Sequence, residues 1–471
     1  MAQRDDHFAA TSRLPPALMR HILLRLPLDS RARCACVCRS WREAVDAPEL
    51  WLRLVFCADM RDYSHWHCFS DTGLRAVTER ARGRLETLEV GDRGGDTFLV
   101  LRDVVAANAA TLRELRLSPD YVDESVLPLL EEMLRTAPAL QLSADVIQCG
   151  PRNGQPLLSG QPPWDRLRLR MIHLDLSDTD EPAERFAAIA ELSSIPELEI
   201  WGGNGEDVAL LLFELPAMEM IADAVLARGV TKLTLNECLP VPLAAPALAR
   251  LLSSATLTEL TLDTRLHSDT DVHWLTAASA ELLASALRTN TTLQHLALPH
   301  MLLWEDAGAA VALLRALTGH ASLRRLALKE NTFRNHDGAD VLAIGAALGA
   351  LVAANTALEE LNLELCDLRA AGLGPLMAAL AHNTNLRVLL LDGNHLSLEF
   401  LNQHVVPAVR ANTSLRVFDP GYALRSDVEH QRNWEANERL GIRLSAYVKA
   451  RELTRQAAEK LDEAWTRATG A

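Results

Sequence analysis

From residue 85 onward one short pattern of hydrophobic and polar positions keeps returning: aliphatic, two variable residues, leucine, one variable residue, aliphatic. Clear copies are LRELRL from Leu112, LTELTL from Leu257, LQHLAL from Leu293, LRRLAL from Leu323, LEELNL from Leu358 and LRVLLL from Leu386. Weaker ones begin at Leu85, Ala137, Met171, Ile195, Val230 and Leu415, and successive starts lie 24 to 36 residues apart. Such a period marks a repeat architecture, in which one unit cannot bury both of its faces and stacking supplies the core. Within a copy, period-two alternation predicts a short strand: Leu361, Leu389 and Leu391 point inward and Glu360 outward. Asn394 follows three residues later, where a buried amide can serve backbone groups that a sharp turn leaves unpaired, and Leu396 re-enters the core. The rest of that copy, EFLNQHVVPAVRAN, predicts a helix despite Pro407. Asn290, Asn355, Asn383 and Asn412 each stand three residues before the next copy, which predicts left-handed helix caps.

The pattern stops after Phe418. The polar segment that follows has Leu440, Leu444, Val448 and Leu453 near helical spacing, which predicts a helix capping the open end of the stack, or else a helix for a partner. At the other end, Pro16 opens a helix over 17–26 with Leu18, Ile22, Leu23 and Leu26 along one side. A second helical stretch follows Leu28, and Val37, Cys38, Trp41 and Val45 continue its apolar face. About 40 residues bury too little surface to be robust alone, so Trp41 and Trp51 are expected to dock on something else.

Composition narrows the chemistry. Hydrophobic residues make up 49% of the 471 and aromatics only 5%, so the core is aliphatic. A formal net charge of −15 argues against a nucleic-acid surface, which needs a basic face. Of the 47 basic residues only four are lysines: Lys232, Lys329, Lys449 and Lys460. The sequence shows neither a membrane span nor the apolar core of a signal peptide, and its eight cysteines lack a disulfide-like spacing. These features suit the cytoplasm or nucleus. CACVC (34–38), HWHC (65–68) and GDRGG (91–95) fail as metal or phosphate sites for want of a second ligand pair or a P-loop lysine. No catalytic motif appears, so no enzyme activity, cofactor or metal is expected.

The repeats resemble the leucine-rich repeat, specifically its ribonuclease-inhibitor-like class. Asn331, Asn394, Cys238 and Cys366 match the Asn or Cys at position nine of that pattern, while Met301, Arg265 and Thr179 do not. The resemblance implies an α/β solenoid with parallel strands on the concave face and helices on the convex face. Residues 14–51 resemble an F-box: Leu-Pro, Ile-Leu-x-x-Leu, Val-Cys-x-x-Trp and Pro-x-Leu-Trp in that order. The F-box family binds the Skp-type adaptor of cullin–RING ubiquitin ligases. By position this implies adaptor-binding roles for Leu14, Pro15, Ile22, Leu23, Leu26, Leu28, Val37, Cys38, Trp41, Leu50 and Trp51. Arg31 and Ala32 stand where the family usually carries leucine, a departure expected to weaken the adaptor interface.

Together these readings give a flexible tail over 1–12, an F-box over 13–58, a solenoid over 59–424 and a helical cap over 425–471. The outward strand positions are mostly acidic: Glu89, Glu114, Asp175, Glu197, Glu199, Glu259, Asp263, Glu360, Glu364 and Asp392, against Arg116, Lys232, Arg325 and Lys329. A target protein with a basic segment would suit Glu197, Glu199, Glu259, Asp263, Glu360 and Glu364, with Trp201 as anchor and Lys232, Arg325 and Lys329 as a separate subsite. The resemblance implies the substrate-recognition subunit of a Skp–cullin–F-box ubiquitin ligase. The alternatives are a repeat scaffold that assembles no ligase, and a bacterial effector that borrows a host ligase.

Overall fold

The computed structural model describes residues 14–26, 28–56, 71–91, 96–118, 122–149, 162–175, 196–201, 212–213, 215–236, 239–240, 244–263, 275–333, 338–420 and 431–469. The tail over 1–12, the HWHC cluster, Gly94 and Gly95, Thr179, Cys238 and Arg265 lie outside these residues. The chain forms two compact units, Met1–Leu174 with Glu191–Ile195 and Asp175–Ala190 with Pro196–Ala471.

The first unit opens with three short helices, α1 (Pro16–Leu24), α2 (Leu28–Arg33) and α3 (Arg39–Val45). Met19, Leu23, Val45 and Leu50 turn inward and are buried. The chain then runs straight into β1 (Arg53–Phe56), which pairs in parallel with β2 (Thr87–Gly91). β3 (Glu114–Ser118), β4 (Gln141–Cys149) and β5 (Leu167–Asp175) continue the parallel sheet. The helices α4 (Asp71–Arg80), α5 (Asp96–Ala107) and α6 (Leu127–Thr136) alternate with these strands.

Register corrects the repeat assignment in this unit. Leu54, Leu88, Leu115, Leu142 and Leu167 stand side by side across the sheet. The copy assigned to Ala137 therefore starts two residues later, at Ala139, and the one assigned to Met171 starts at Trp164. Both were hidden because a poor first residue precedes a long strand: β4 and β5 stay paired as far as Cys149 and Leu174, which supplies a second apolar alternation. A further copy precedes residue 85. Trp51-x-x-Leu54-x-Phe56 follows the same pattern, with all three side chains buried. Leu52 O accepts from both Glu86 N and Thr87 N, as Glu86 O does from Arg113 N and Glu114 N one repeat later.

In the second unit eight parallel strands follow the predicted register. They are β6 (Glu197–Trp201), β7 (Lys232–Asn236), β8 (Glu259–Asp263), β9 (His295–Ala297), β10 (Arg325–Ala327), β11 (Glu360–Asn362), β12 (Val388–Leu390) and β13 (Val417–Asp419). Leu198, Leu233, Leu260, Leu296, Leu326, Leu361, Leu389 and Phe418 form one buried row across them. The connecting helices are α7 (Leu215–Arg228), α8 (Ala245–Leu252), α9 (Ala277–Thr289), α10 (Ala307–Leu317), α11 (Gly338–Ala354), α12 (Arg369–Leu380) and α13 (Val406–Ala411). Before α13 the helix predicted around Pro407 widens into a π-helical turn over Leu401–Val405, consistent with a proline that has no N–H for the α-helical ladder. This is an α/β solenoid of leucine-rich repeats.

Because Leu361 is fully buried and Glu360 beside it reaches solvent, the two test the register. Leu361→Asp buries an unpaired charge and should unfold the adjoining repeats. Glu360→Lys loses only a 3.6 Å surface contact with Arg325 and should melt close to wild type by circular dichroism. Equal losses in the two variants would move the strand by one residue.

The asparagines that end the helices do not act as left-handed caps. Asn290 and Asn412 hold φ of −72° and −71° with extended ψ, and none of the four has positive φ. Instead each amide bridges repeats. Asn412 Nδ2 donates to Leu380 O at 2.9 Å and Asn383 O at 2.7 Å, while its Oδ1 accepts from Ser414 N and Leu415 N. Asn383 makes the same connection to Val352 O, Asn355 to Leu317 O and Asn290 to Leu252 O. Left-handed residues lie as glycines after two helices, Gly229 after α7 and Gly319 after α10, and in the turns after the later strands, at His300, Glu330, Leu365 and Gly393. There Asn331 and Asn394 occupy position nine as predicted; Asn394, for example, donates to Leu363 O and Leu391 O and accepts from Leu368 N.

Not every helix end carries the asparagine. Ser254 replaces it after α8, its Oγ accepting from Thr256 N and Leu257 N. His320 replaces it after α10, 6% exposed, with Nε2 unpartnered and Nδ1 3.5 Å from Ser322 Oγ. Burial lowers its pKa, so the fold favours the neutral ring. That contribution is complete above the unfolded value of about 6.5 and is lost as pH falls toward the lower folded value. His320→Asn should gain about 1 kcal/mol in urea melts near neutral pH and gain more near about pH 5. An unchanged pH dependence would exclude His320 as its source.

The last helix, α14 (Gln431–Thr469), covers the end of the stack. Leu444 and Val448 are buried, Ser445 Oγ donates to Phe418 O at 2.7 Å, and Arg451 Nη2 donates to Leu415 O at 2.7 Å. Leu453, expected on the same face, is exposed.

Candidate functional site

The N-terminal module is organised around Arg31. It is 8% exposed and points into the module. Its Nε donates to Leu23 O at 3.0 Å, Nη1 to Leu50 O at 2.6 Å, and Nη2 to Leu24 O at 3.3 Å and Leu26 O at 3.2 Å. Leu23 and Leu24 close α1 and Leu26 lies two residues beyond it, at the helix end where a cation suits the dipole. Burial lowers the Arg31 pKa, yet guanidinium stays charged at any physiological pH. Arg31 is thus part of the module's core and does not line an adaptor surface in place of a leucine.

Trp51 packs beside it with no solvent exposure, and its Nε1 donates to Val45 O at 2.6 Å. The Arg31 guanidinium lies 5.7 Å from the ring centroid and that of Arg80, at the end of α4, lies 5.1 Å away. The indole therefore docks on the first repeat. Leu23 and Leu50 are buried as well, so of the eleven residues assigned to the adaptor these three present almost no side-chain surface to solvent. Pro15 and Val37 are exposed, the latter by 45%, and Leu14, Ile22, Leu26, Cys38 and Trp41 are half-buried. The Leu28 side chain is outside the described residues. Leu18 is 47% exposed, one turn from both Pro15 and Ile22, and belongs with this apolar surface; Leu24 is exposed too. Cys34, Cys36 and Cys38 are free thiols, and burial raises the Cys34 pKa.

The outward face of the second unit's sheet is built in rows. Glu197, Lys232, Glu259, His295, Arg325 and Glu360 are successive neighbours across six strands. Lys232 Nζ sits 3.4 Å from Glu197 and 3.2 Å from Glu259, and His295 Nδ1 is 3.1 Å from Glu259. Partial burial works against charge on Lys232, but Glu259 and Glu197 outweigh it and raise the pKa. This row largely neutralises itself, where charge counts alone gave a mostly acidic face. The next row, Glu199, Thr234, Thr261, Ala297, Ala327 and Asn362, consists mostly of short side chains. Beyond it stand Trp201, Asn236 and Asp263, and in later repeats Lys329, Glu364 and Asp392. His300 is 3.1 Å from Glu330 and 3.9 Å from Asp263, Lys329 is 3.8 Å from Glu330, and Glu364 accepts from Asn362 at 2.9 Å. The Asp175 side chain lies outside the described residues.

Residues 11–53 match the family model described as the F-box domain. F-box/LRR-repeat protein 22 of Arabidopsis thaliana is 32% identical over 130 residues, which cover 26% of this chain and 41% of that protein. The chain thus joins a segment that matches the F-box to a ladder of leucine-rich repeats. The match spans less than half the length of that curated relative. No helix among the described residues is long and apolar enough to cross a membrane, and no group of three His, Cys, Asp or Glu is placed to hold a metal ion.

The F-box model ends at residue 53, where β1 begins. Leu18 was legible from its i, i+4 relation to Ile22. Arg31 and Arg80 were not, since nothing in the local spacing of an arginine says that four carbonyls or an indole converge on it.

Proposed function

We propose that this protein is the target-recognition subunit of a Skp–cullin–F-box ubiquitin ligase. The observation that carries the reading is the outward apolar surface of the F-box, Pro15, Leu18, Ile22, Val37 and Trp41. These apolar side chains remain open to solvent in a small module, as side chains kept for a partner do. The Skp-type adaptor occupies this surface, and the cullin and RING subunits follow through the adaptor. The repeats then hold a target protein on the outward face of the second unit's sheet. Trp201 serves as its aromatic anchor, the short-chain row as its floor, and Glu199, Asp263, Glu364 and Lys329 as its polar contacts. Glu197, Lys232, Glu259, Arg325 and Glu360 enter only if a target breaks their ion pairs, so the basic segment expected of the target is engaged beyond that row. The chain contributes no reacting group; it raises the effective concentration of target at the ubiquitin-loaded enzyme, in the cytoplasm or nucleus. Domain limits of 13–58, 59–424 and 425–471 belong to the same proposal, with the F-box and the first repeat overlapping between Trp51 and Phe56.

Val37→Asp tests the adaptor surface, because Val37 is exposed and its loss leaves the fold alone. It should weaken adaptor binding at least about tenfold, or about 1.4 kcal/mol, in calorimetric titration while the melting curve stays put. A wild-type chain that binds no Skp-type adaptor at about 10 µM overturns the function.

A further inference from the structure

We infer that the cap helix α14 carries this chain's own ubiquitin-acceptor site, at Lys449 and Lys460. The inference rests on the ligase reading above and adds where the chain itself is modified. Lysine is almost absent from the sequence: of 47 basic residues only Lys232, Lys329, Lys449 and Lys460 carry an ε-amine. The structure divides these four into two kinds.

Lys232 and Lys329 stand on the sheet face. Lys232 Nζ lies between Glu197 at 3.4 Å and Glu259 at 3.2 Å, and Lys329 Nζ is 3.8 Å from Glu330. Each side chain retains only 40% exposure. An ammonium held by carboxylates is a poor nucleophile, since acyl transfer needs the free amine. A target seated on this face would cover both amines.

Lys449 and Lys460 are exposed on α14, and neither has an ion-pair partner among the described residues. The inward side of α14 is taken by Leu444, Val448 and Arg451, the last bonded to Asn412 O and Leu415 O. That anchorage leaves Lys449, next to buried Val448, exposed to solvent on a helix fixed to the last repeats. Lys460 lies three turns further along the same helix.

The chemistry balances without any group from elsewhere in this chain. The deprotonated Nζ attacks the thioester carbonyl at the C-terminus of ubiquitin, carried on a cysteine of the ligase's partner enzyme. The new C–N bond forms, the C–S bond breaks, the thiolate leaves, and the proton lost by nitrogen passes to water. Arginine cannot substitute, because its guanidinium is never deprotonated under these conditions.

Two measurements on the full-length chain test the site. A brief pulse of an acetylating N-hydroxysuccinimide ester, read by peptide mass spectrometry, should label Lys449 and Lys460 several-fold faster than Lys232 and Lys329. Equal labelling of all four removes the structural basis. In a reconstituted ligase without target, Lys449→Arg with Lys460→Arg should abolish most side-chain self-ubiquitination, and in wild type the ubiquitin remnants should map to Lys449 and Lys460. Adaptor capture by each variant is followed in parallel. If wild type captures the adaptor but carries ubiquitin on Lys232 or Lys329, or carries none, the acceptor site is wrong and the receptor function stands. If wild type captures no adaptor, both fall together.

Discussion

Arg31→Met should unfold the F-box while leaving the second unit's repeats folded. The side chains are close in length and methionine is the more apolar, so simple burial predicts a stable variant. Hydrogen bonding predicts the opposite. The guanidinium serves the carbonyls of Leu23, Leu24, Leu26 and Leu50, and methionine serves none. Leaving buried acceptors unpaired costs about 1–3 kcal/mol each, so a loss of about 3 kcal/mol or more is expected. Loss of the cation beside the Trp51 ring adds to it. Arg31→Lys should recover only a fraction, because one ammonium cannot fan out to four carbonyls. The near-ultraviolet dichroism of the tryptophans and amide hydrogen exchange over 16–56 report the outcome. A fully protected F-box in Arg31→Met would mean that packing alone holds the module.

The second large effect lies between α11 and α12, and its sign runs against helix propensity. Replacing a mid-helix glycine by alanine ordinarily stabilises by about 0.5–1 kcal/mol. At Gly345 a Cβ would fall 2.2 Å from Gly372 O and 2.6 Å from Gly372 Cα, both backbone atoms. Gly349 meets Pro375 almost as closely, with a Cβ 2.9 Å from its carbonyl. The two helices cross backbone against backbone, and room for a methyl appears only if they separate along the whole contact. Gly345→Ala should therefore cost about 3 kcal/mol, at the upper end of ordinary overpacking. Gly374→Ala, in the same layer with nothing within 4 Å, should instead show the usual gain. Urea denaturation of the two variants decides it, and a gain at both positions would mean that the helices are not in contact.

Where the period-two leucines are strong, the fold was legible to the single residue: Leu296, Leu326, Leu361 and Leu389 occupy the row that their spacing implied. Legibility failed where the first position of a copy is a poor one. Trp51 and Trp164 begin repeats without an aliphatic residue, and at Ala139 the alanine two residues earlier offers a competing frame. The asparagines were found but given the wrong task, because a helix-end asparagine suggests a backbone conformation locally, while its actual partners lie one repeat away. The site shows the same limit. Exposed residues such as Pro15 and Val37 followed from motif position, whereas self-neutralisation along Glu197, Lys232 and Glu259 depends on strand neighbours some 30 residues distant in sequence.

Trp51 closes the F-box through Val45 and Arg31 and opens the first repeat through β1 and Arg80. No point along the chain is therefore a natural place to cut the two apart. A transplant of this F-box onto another receptor would have to bring β1, α4 and β2 with it, or leave an indole bare. A spacer inserted after Leu50 would pull the tryptophan out of one of its two sockets. The joint has no slack to lengthen or shorten, so drift in the spacing of F-box and first repeat must come by rebuilding the repeat and not by adding residues between modules.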